Sequence, residues 1–226
     1  MELNKYIDHT NLKANATKND IKKLCDEAIK YNFASVCINP FYVKYAHSLL
    51  KKSNVAAGTV IGFPLGANTT KIKVSEVKQA LKDGAEELDM VINIGALKAG
   101  DYDYVEHEIA AMVEAANGYV LKVIIETSYL NEEEIIKMCE ICKNNFVHFI
   151  KTSTGFSDTG ATIENVSFMR QHIGDILEIK ASGGIKNYDD AIALIDAGAT
   201  RIGTSNGIKI MEGLKWNYTK NYNGVV

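Results

Sequence analysis

Short apolar runs alternate with amphipathic stretches of helical spacing along the whole chain, and this alternation sharply limits the folds open to it. The runs are Tyr6–His9, Ser35–Asn39, Ala56–Phe63, Glu87–Asn93, Leu121–Glu126, Val147–Lys151, Leu177–Ala181 and Arg201–Thr204, eight in all. Between them, apolar residues recur at i, i+3 and i+4. Ile21, Leu24, Cys25, Ala28 and Ile29 form one such stripe, and Val105, Ile109, Met112, Val113 and Ala116 another. Thr17 followed by Asp20 has the spacing of a capping box that opens the first long helix. Gly84, Gly118 and Gly198 stand where a helix must end in a left-handed residue before the next strand begins. Lys82-Asp83-Gly84-Ala85 is echoed by Asp196-Ala197-Gly198-Ala199, as expected of one unit used repeatedly.

Eight strands, each followed by a helix, predict an α/β chain folded as a (β/α)8 TIM barrel. An open, doubly wound sheet is the alternative. It would want a glycine-rich fingerprint after its first strand, and His9-Thr10-Asn11-Leu12-Lys13 contains no glycine. The 226 residues suffice for one such barrel, and no linker divides residues 1–226, so one catalytic domain is expected. The stretch 216–226 shows little periodicity and is expected to be a flexible tail.

A formal charge of −3 leaves no basic footprint for nucleic acid. No apolar run reaches the roughly 18 residues of a membrane span, and Met1-Glu2-Leu3-Asn4-Lys5 lacks the features of a signal peptide. A cytoplasmic protein is expected. Cys139 and Cys142 form a C-x-x-C pair, but within helical periodicity and without a second Cys or His pair. They read as small residues of a helix core, and no metal or cofactor is expected.

Successive side chains of a strand point to opposite faces. If Leu88, Met90 and Ile92 face the helices, Asp89, Val91 and Asn93 face the barrel interior. The same rule turns Lys122, Ile124 and Glu126 inward, then Lys151, then Glu178 and Lys180. Asp89, Lys122, Lys151 and Lys180 thus share one interior. Lys151 and Lys180 belong to consecutive strands about 4.8 Å apart and stand by position at the C-terminal ends, where barrel chemistry takes place. A free lysine, with a pKa near 10.4, carries the neutral amine in only about one molecule in a few thousand at pH 7. Lowering that pKa by roughly three units, through about 4 kcal/mol of differential interaction, brings the neutral fraction near a third. Burial beside a like charge can supply this. Lys151 is therefore the candidate Schiff-base former and Lys180 the cation that depresses its pKa. Asp89 is the candidate proton shuttle and Lys122 the partner that keeps it ionised. The plainer alternative is that lysines at strand ends reach solvent, their stems covering apolar surface.

Glycine-bearing loops follow the last three strands: Thr152-Ser153-Thr154-Gly155, Ser182-Gly183-Gly184-Ile185-Lys186 and Gly203-Thr204-Ser205-Asn206-Gly207. Loops at this rim of a barrel commonly bind phosphate through backbone N–H groups, and Lys186 could add a cation.

Ile7-Asp8-His9-Thr10, Val36-Cys37-Ile38-Asn39-Pro40, Ile61-Gly62-Phe63-Pro64-Leu65-Gly66, Glu87–Asn93, Leu121–Thr127, Phe149–Phe156 and Ile179–Ile185 together resemble the deoxyribose-phosphate aldolase family, over almost the whole chain. The resemblance implies a class I aldolase on a (β/α)8 barrel. Such an enzyme reversibly cleaves 2-deoxy-D-ribose 5-phosphate to acetaldehyde and D-glyceraldehyde 3-phosphate without metal. It implies the same roles for Lys151, Lys180 and Asp89, and it places Asp8, Thr10 and Cys37 in the pocket. Gly155, Gly184, Gly203 and Ser205 then match the phosphate loops. Lys186 stands where arginine is common, keeping the charge but losing the bidentate fork. The partners expected are a phosphosugar and further copies of the chain, as a dimer or tetramer, with neither nucleic acid nor a membrane. Two rivals remain at this point. One is another phosphosugar barrel, transaldolase-like or an isomerase; the other is a barrel that only binds a phosphate ligand.

Overall fold

A computed structural model of the chain describes the backbone of residues 2–222 and the side chains of 2–214. In chain order the elements are β1 (Ile7–Asn11), α1 (Lys18–Tyr31), β2 (Ser35–Ile38), α2 (Val43–Leu50), β3 (Ala56–Ile61), α3 (Thr70–Lys82), β4 (Glu87–Val91), α4 (Ile94–Lys98), α5 (Tyr102–Ala116), β5 (Val120–Ile124), α6 (Glu132–Asn144), β6 (Phe149–Lys151), α7 (Ile163–Ile173), β7 (Glu178–Ser182), α8 (Tyr188–Asp196), β8 (Arg201–Thr204) and α9 (Gly207–Tyr222). The strands close in chain order into one parallel barrel, with β8 beside β1. Among the described residues, no helix is long and apolar enough to cross a membrane.

Local chemistry explains the boundaries. Thr17 and Asp20 form the reciprocal capping box that opens α1. Gly84, Gly118 and Gly198 all adopt positive φ after their helices. β3 stops at Ile61 rather than Phe63 because Gly62 turns to a φ of 61°. β4 stops short of Asn93 because that side chain accepts from the Ala96 N–H and caps α4. β5 stops before Glu126, which takes a left-handed conformation at φ 54°.

Side-chain parity sorts the residues as alternation predicts. Leu88, Met90, Leu121, Val123, Ile150 and Ile179 are buried between barrel and helices, and burial of this apolar layer is the main drive for closing the barrel. Glu178 departs from the expectation. It opens β7 at the lower edge, its side chain is 52% exposed, and its nearest cation is Arg170 at 4.0 Å. Cys139 and Cys142 are buried, free thiols of α6. Of the stretch 216–226 read as a tail, residues 216–222 continue α9, and 223–226 lie outside the described residues.

Candidate active site

At the C-terminal face of the barrel opens a cleft of about 810 Å³. Its lining includes Thr10 from β1, Lys151 from β6 and Gly203 from β8. Thr154, Gly155, Gly183, Gly184, Lys186 and Ser205 line it from the three rim loops. Beneath Lys151 lie Asp8, Cys37, Asp89, Lys122 and Lys180, all nearly inaccessible to water. The structure thus brings together the residues singled out from sequence, in two tiers: a cleft that solvent reaches, and a charged interior below it.

Asp89 is the centre of the lower tier. Its Oδ1 accepts from Lys122 Nζ at 2.9 Å, and its Oδ2 accepts from both Lys151 Nζ and Lys180 Nζ, each at 2.7 Å. The two ammonium nitrogens therefore lie no farther apart than about twice that distance, on the same side of the barrel wall. Lys180 also donates to Asp8 Oδ2 at 2.5 Å. Lys122 donates to Glu87 Oε2 at 2.5 Å and lies 3.6 Å from Asp8.

This unequal sharing divides the lysines electrostatically. Burial opposes the charged form of every one of them. For Lys151, burial outweighs the single carboxylate Asp89, and the charge of Lys180 pushes the same way, so its pKa falls below the ordinary lysine value. Burial is also the largest influence on Lys180, but Asp8 and Asp89 together overcome it and its pKa rises. Asp89 would be raised by burial, yet three lysines hold it well below the usual carboxylate range. Burial and the Asp89 charge push the Cys37 thiol up to about 11, so it is neutral 3.9 Å from Asp89 Oδ2. The arrangement can present an uncharged amine to a carbonyl in the cleft, beside a carboxylate that can move a proton.

The rim loops are tied to one another. Ser182 N–H donates to Thr152 Oγ1 at 3.1 Å, and Thr204 Oγ1 donates to the Ile185 carbonyl at 2.8 Å. Glycine is required where backbones meet. A Cβ on Gly183, at φ +85°, would lie 2.9 Å from Gly160 Cα, and one on Gly203 would lie 2.5 Å from Ser182 Oγ. Lys186 is exposed on the cleft wall, and its own N–H donates to Asp190 Oδ2 at 2.9 Å. Across the mouth, Phe63 and Phe156 meet edge to face at 5.2 Å.

Sequence reasoning missed three participants. Glu87 and Arg201 form the floor of the charged interior, with Arg201 Nη1 2.7 Å from Asp8 Oδ1 and 2.9 Å from Glu87 Oε2. The parity that selected Asp89 also selects Glu87, two residues earlier, and the same alternation on β8 turns Arg201 inward. Glu126, expected to face inward, instead accepts from Ser157 Oγ at 3.0 Å and from Thr154 Oγ1 and N–H, clamping the loop after Lys151. Its left-handed backbone was the hidden signal. Among the described residues, no group of three His, Cys, Asp or Glu is placed to hold a metal ion.

The family model for DeoC/LacD family aldolases matches residues 3–213. A deoxyribose-phosphate aldolase of Thermococcus gammatolerans is 58% identical over 219 residues, covering 95% of this chain and 97% of that protein. One of Lactococcus lactis is 55% identical, covering 96% and 99%. The solved deoxyribose phosphate aldolase of Aeropyrum pernix, described as a tetramer, superposes with a TM-score of 0.88 at 32% identity, covering 94% of this chain and 91% of that one.

Proposed function

The chain belongs to the DeoC/LacD aldolase family, and from that premise we propose that it cleaves 2-deoxy-D-ribose 5-phosphate reversibly to acetaldehyde and D-glyceraldehyde 3-phosphate through a Schiff base on Lys151. One observation carries the assignment of the amine. Among the described residues, Lys151 is the lysine that both lines the cleft and has a lowered pKa, and it shares a single carboxylate oxygen with Lys180.

In this reading the open-chain sugar enters with its aldehyde toward Lys151 and its phosphate at the rim. The neutral amine adds to C1, and loss of water leaves an iminium. Removal of the C3 hydroxyl proton then breaks the C2–C3 bond. The bonding electrons move into the iminium, giving an enamine and releasing D-glyceraldehyde 3-phosphate. Protonation at C2 and hydrolysis free acetaldehyde and restore the amine. Asp89, with water, carries the protons; Lys180 keeps Lys151 uncharged and Lys122 keeps Asp89 ionised. Asp8 holds Lys180, while Thr10 and Cys37 border the sugar. Thr154, Gly155, Gly183, Gly184, Lys186, Gly203 and Ser205 receive the phosphate through N–H groups, hydroxyls and one cation. Each barrel is read as a single catalytic domain that assembles into a homo-oligomer, in keeping with the tetrameric Aeropyrum pernix relative. Four buried free cysteines suit a cytoplasmic setting for this deoxyribose phosphate breakdown.

Borohydride reduction in the presence of acetaldehyde tests the reading. An ethyl group on Lys151 in the tryptic map is the expected result. Capture on a different lysine would point to another phosphosugar barrel, and no specific capture would leave a binding protein.

A further inference from the structure

Among the described residues, the interior of the barrel holds an odd number of charges. Four cations, Lys122, Lys151, Lys180 and Arg201, are interlinked with three carboxylates, Asp8, Glu87 and Asp89. All seven side chains are largely or wholly withdrawn from water. The other buried carboxylate near this end, Glu126, is taken up by Thr154 and Ser157 and makes no ion pair with these cations among the described residues. Cys37 faces the group from β2 as a neutral thiol. His9, on β1, bonds to Glu27 instead. Seen from Lys151, the charged neighbours are therefore Asp8 on β1, Glu87 and Asp89 on β4, Lys122 on β5, Lys180 on β7 and Arg201 on β8.

An unbalanced cation in such a place is expensive, and the cheapest relief is loss of a proton. Arg201 cannot give one up, since guanidinium stays charged at all relevant pH. It is also held in place: its Nη1 reaches both Asp8 and Glu87, and its guanidinium lies 5.0 Å from the centre of the Phe149 ring. Strand register links it to Lys151 through Lys180. Lys151 pairs with Lys180 across β6 and β7, and Lys180 pairs with Arg201 across β7 and β8, so three cations occupy one row of the wall. Of these lysines, among the described residues, Lys122 contacts three carboxylates and Lys180 two, whereas Lys151 contacts only Asp89.

We infer that Arg201 is a positioning residue for the reaction: by occupying Asp8 and Glu87 from below, it leaves the interior with one cation in excess and makes Lys151 the group that yields its proton. This rests on the aldolase reading of Lys151. Arg201 touches no substrate; its action is transmitted through Asp8, Glu87 and Lys180.

The test follows the rate at which acetaldehyde and cyanoborohydride alkylate Lys151 in the full chain, as a function of pH. Arg201→Met brings the interior to three cations and three carboxylates, so the midpoint should move alkaline by about one pH unit. Glu87→Gln raises the excess and should move it toward acid. The double variant removes one charge of each sign and should return to within a few tenths of a unit of the unmodified protein, as should Arg201→Lys alone. Loss of packing does not produce shifts of opposite sign that cancel. Unmoved midpoints, or single variants that shift the same way, overturn the inference. If Arg201→Met does not fold, Glu87→Gln decides alone: an acid shift supports the inference, and an unmoved or alkaline midpoint overturns it. Failure of the unmodified protein to be alkylated at Lys151 is a separate result, and it removes the aldolase reading itself.

Discussion

Among the described residues, lysine is buried in two regions, and the two are built differently. Between α3 and α5, Lys73 is wholly inaccessible and meets one carboxylate, Glu108, at 2.7 Å. The Val91 carbonyl accepts from the same ammonium at 2.8 Å, and Glu108 accepts from the Asn93 N–H at 2.9 Å. Burial dominates both partners: Lys73 falls below the ordinary lysine pKa and Glu108 rises above the ordinary carboxylate one. Each is driven toward its neutral form. Inside the barrel Asp8 and Asp89 behave in the opposite way, because several cations surround each of them, and both stay ionised. Only among the lysines does the charge state divide. A closed pair balances itself and staples two helices to the end of β4. A network with unequal sharing can single out one member as reactive.

Perturbing each region in turn sharpens this contrast. The largest effect is expected from Lys151→Met, which should abolish aldol cleavage while leaving the thermal melt essentially in place. Retained turnover would take Lys151 out of the mechanism. Next comes Lys73→Met, which strands Glu108 in an apolar layer and should cost about 3–5 kcal/mol in guanidinium unfolding. A variant as stable as the parent would mean that the pair contributes nothing as a staple. Lys180→Leu should act on activity through pH. With that positive charge gone, Lys151 keeps its proton to higher pH, so the rate optimum should move alkaline. An unmoved optimum leaves Lys180 a structural role only. The smallest effect is expected when both members of the outer pair are replaced, as in Lys73→Met with Glu108→Leu. Stability should then lie within about 1–2 kcal/mol of the parent, since apolar replacement of a whole buried pair is often neutral. A loss equal to that of Lys73→Met would show that the stranded carboxylate was not the source of the cost.

Much of this was legible in the chain. Periodicity located all eight strands, because each helix-facing residue must be apolar, and parity then delivered Asp89, Lys122, Lys151 and Lys180 to one interior. What could not be read depends on where strands begin and on how far the barrel is staggered. Glu178 shares the parity of Lys180 but falls at the lower edge and stays wet, whereas Glu87 and Arg201, equally near their strand starts, are drawn inside by Asp8 and Lys122. Lys73 and Glu108 were unreadable for another reason. They sit on helices 35 positions apart, and no local pattern announces that α3 and α5 will be neighbours.

Asp89 Oδ2 receives hydrogen bonds from two lysine nitrogens at once. A neutral amine has two N–H bonds, whereas an iminium on the same nitrogen keeps one. On the mechanism proposed above, capture of the sugar therefore halves the capacity of Lys151 to donate, and its claim on that oxygen loosens just when a proton has to be received. The covalent step would thus uncover its own base, and the timing would need no moving part.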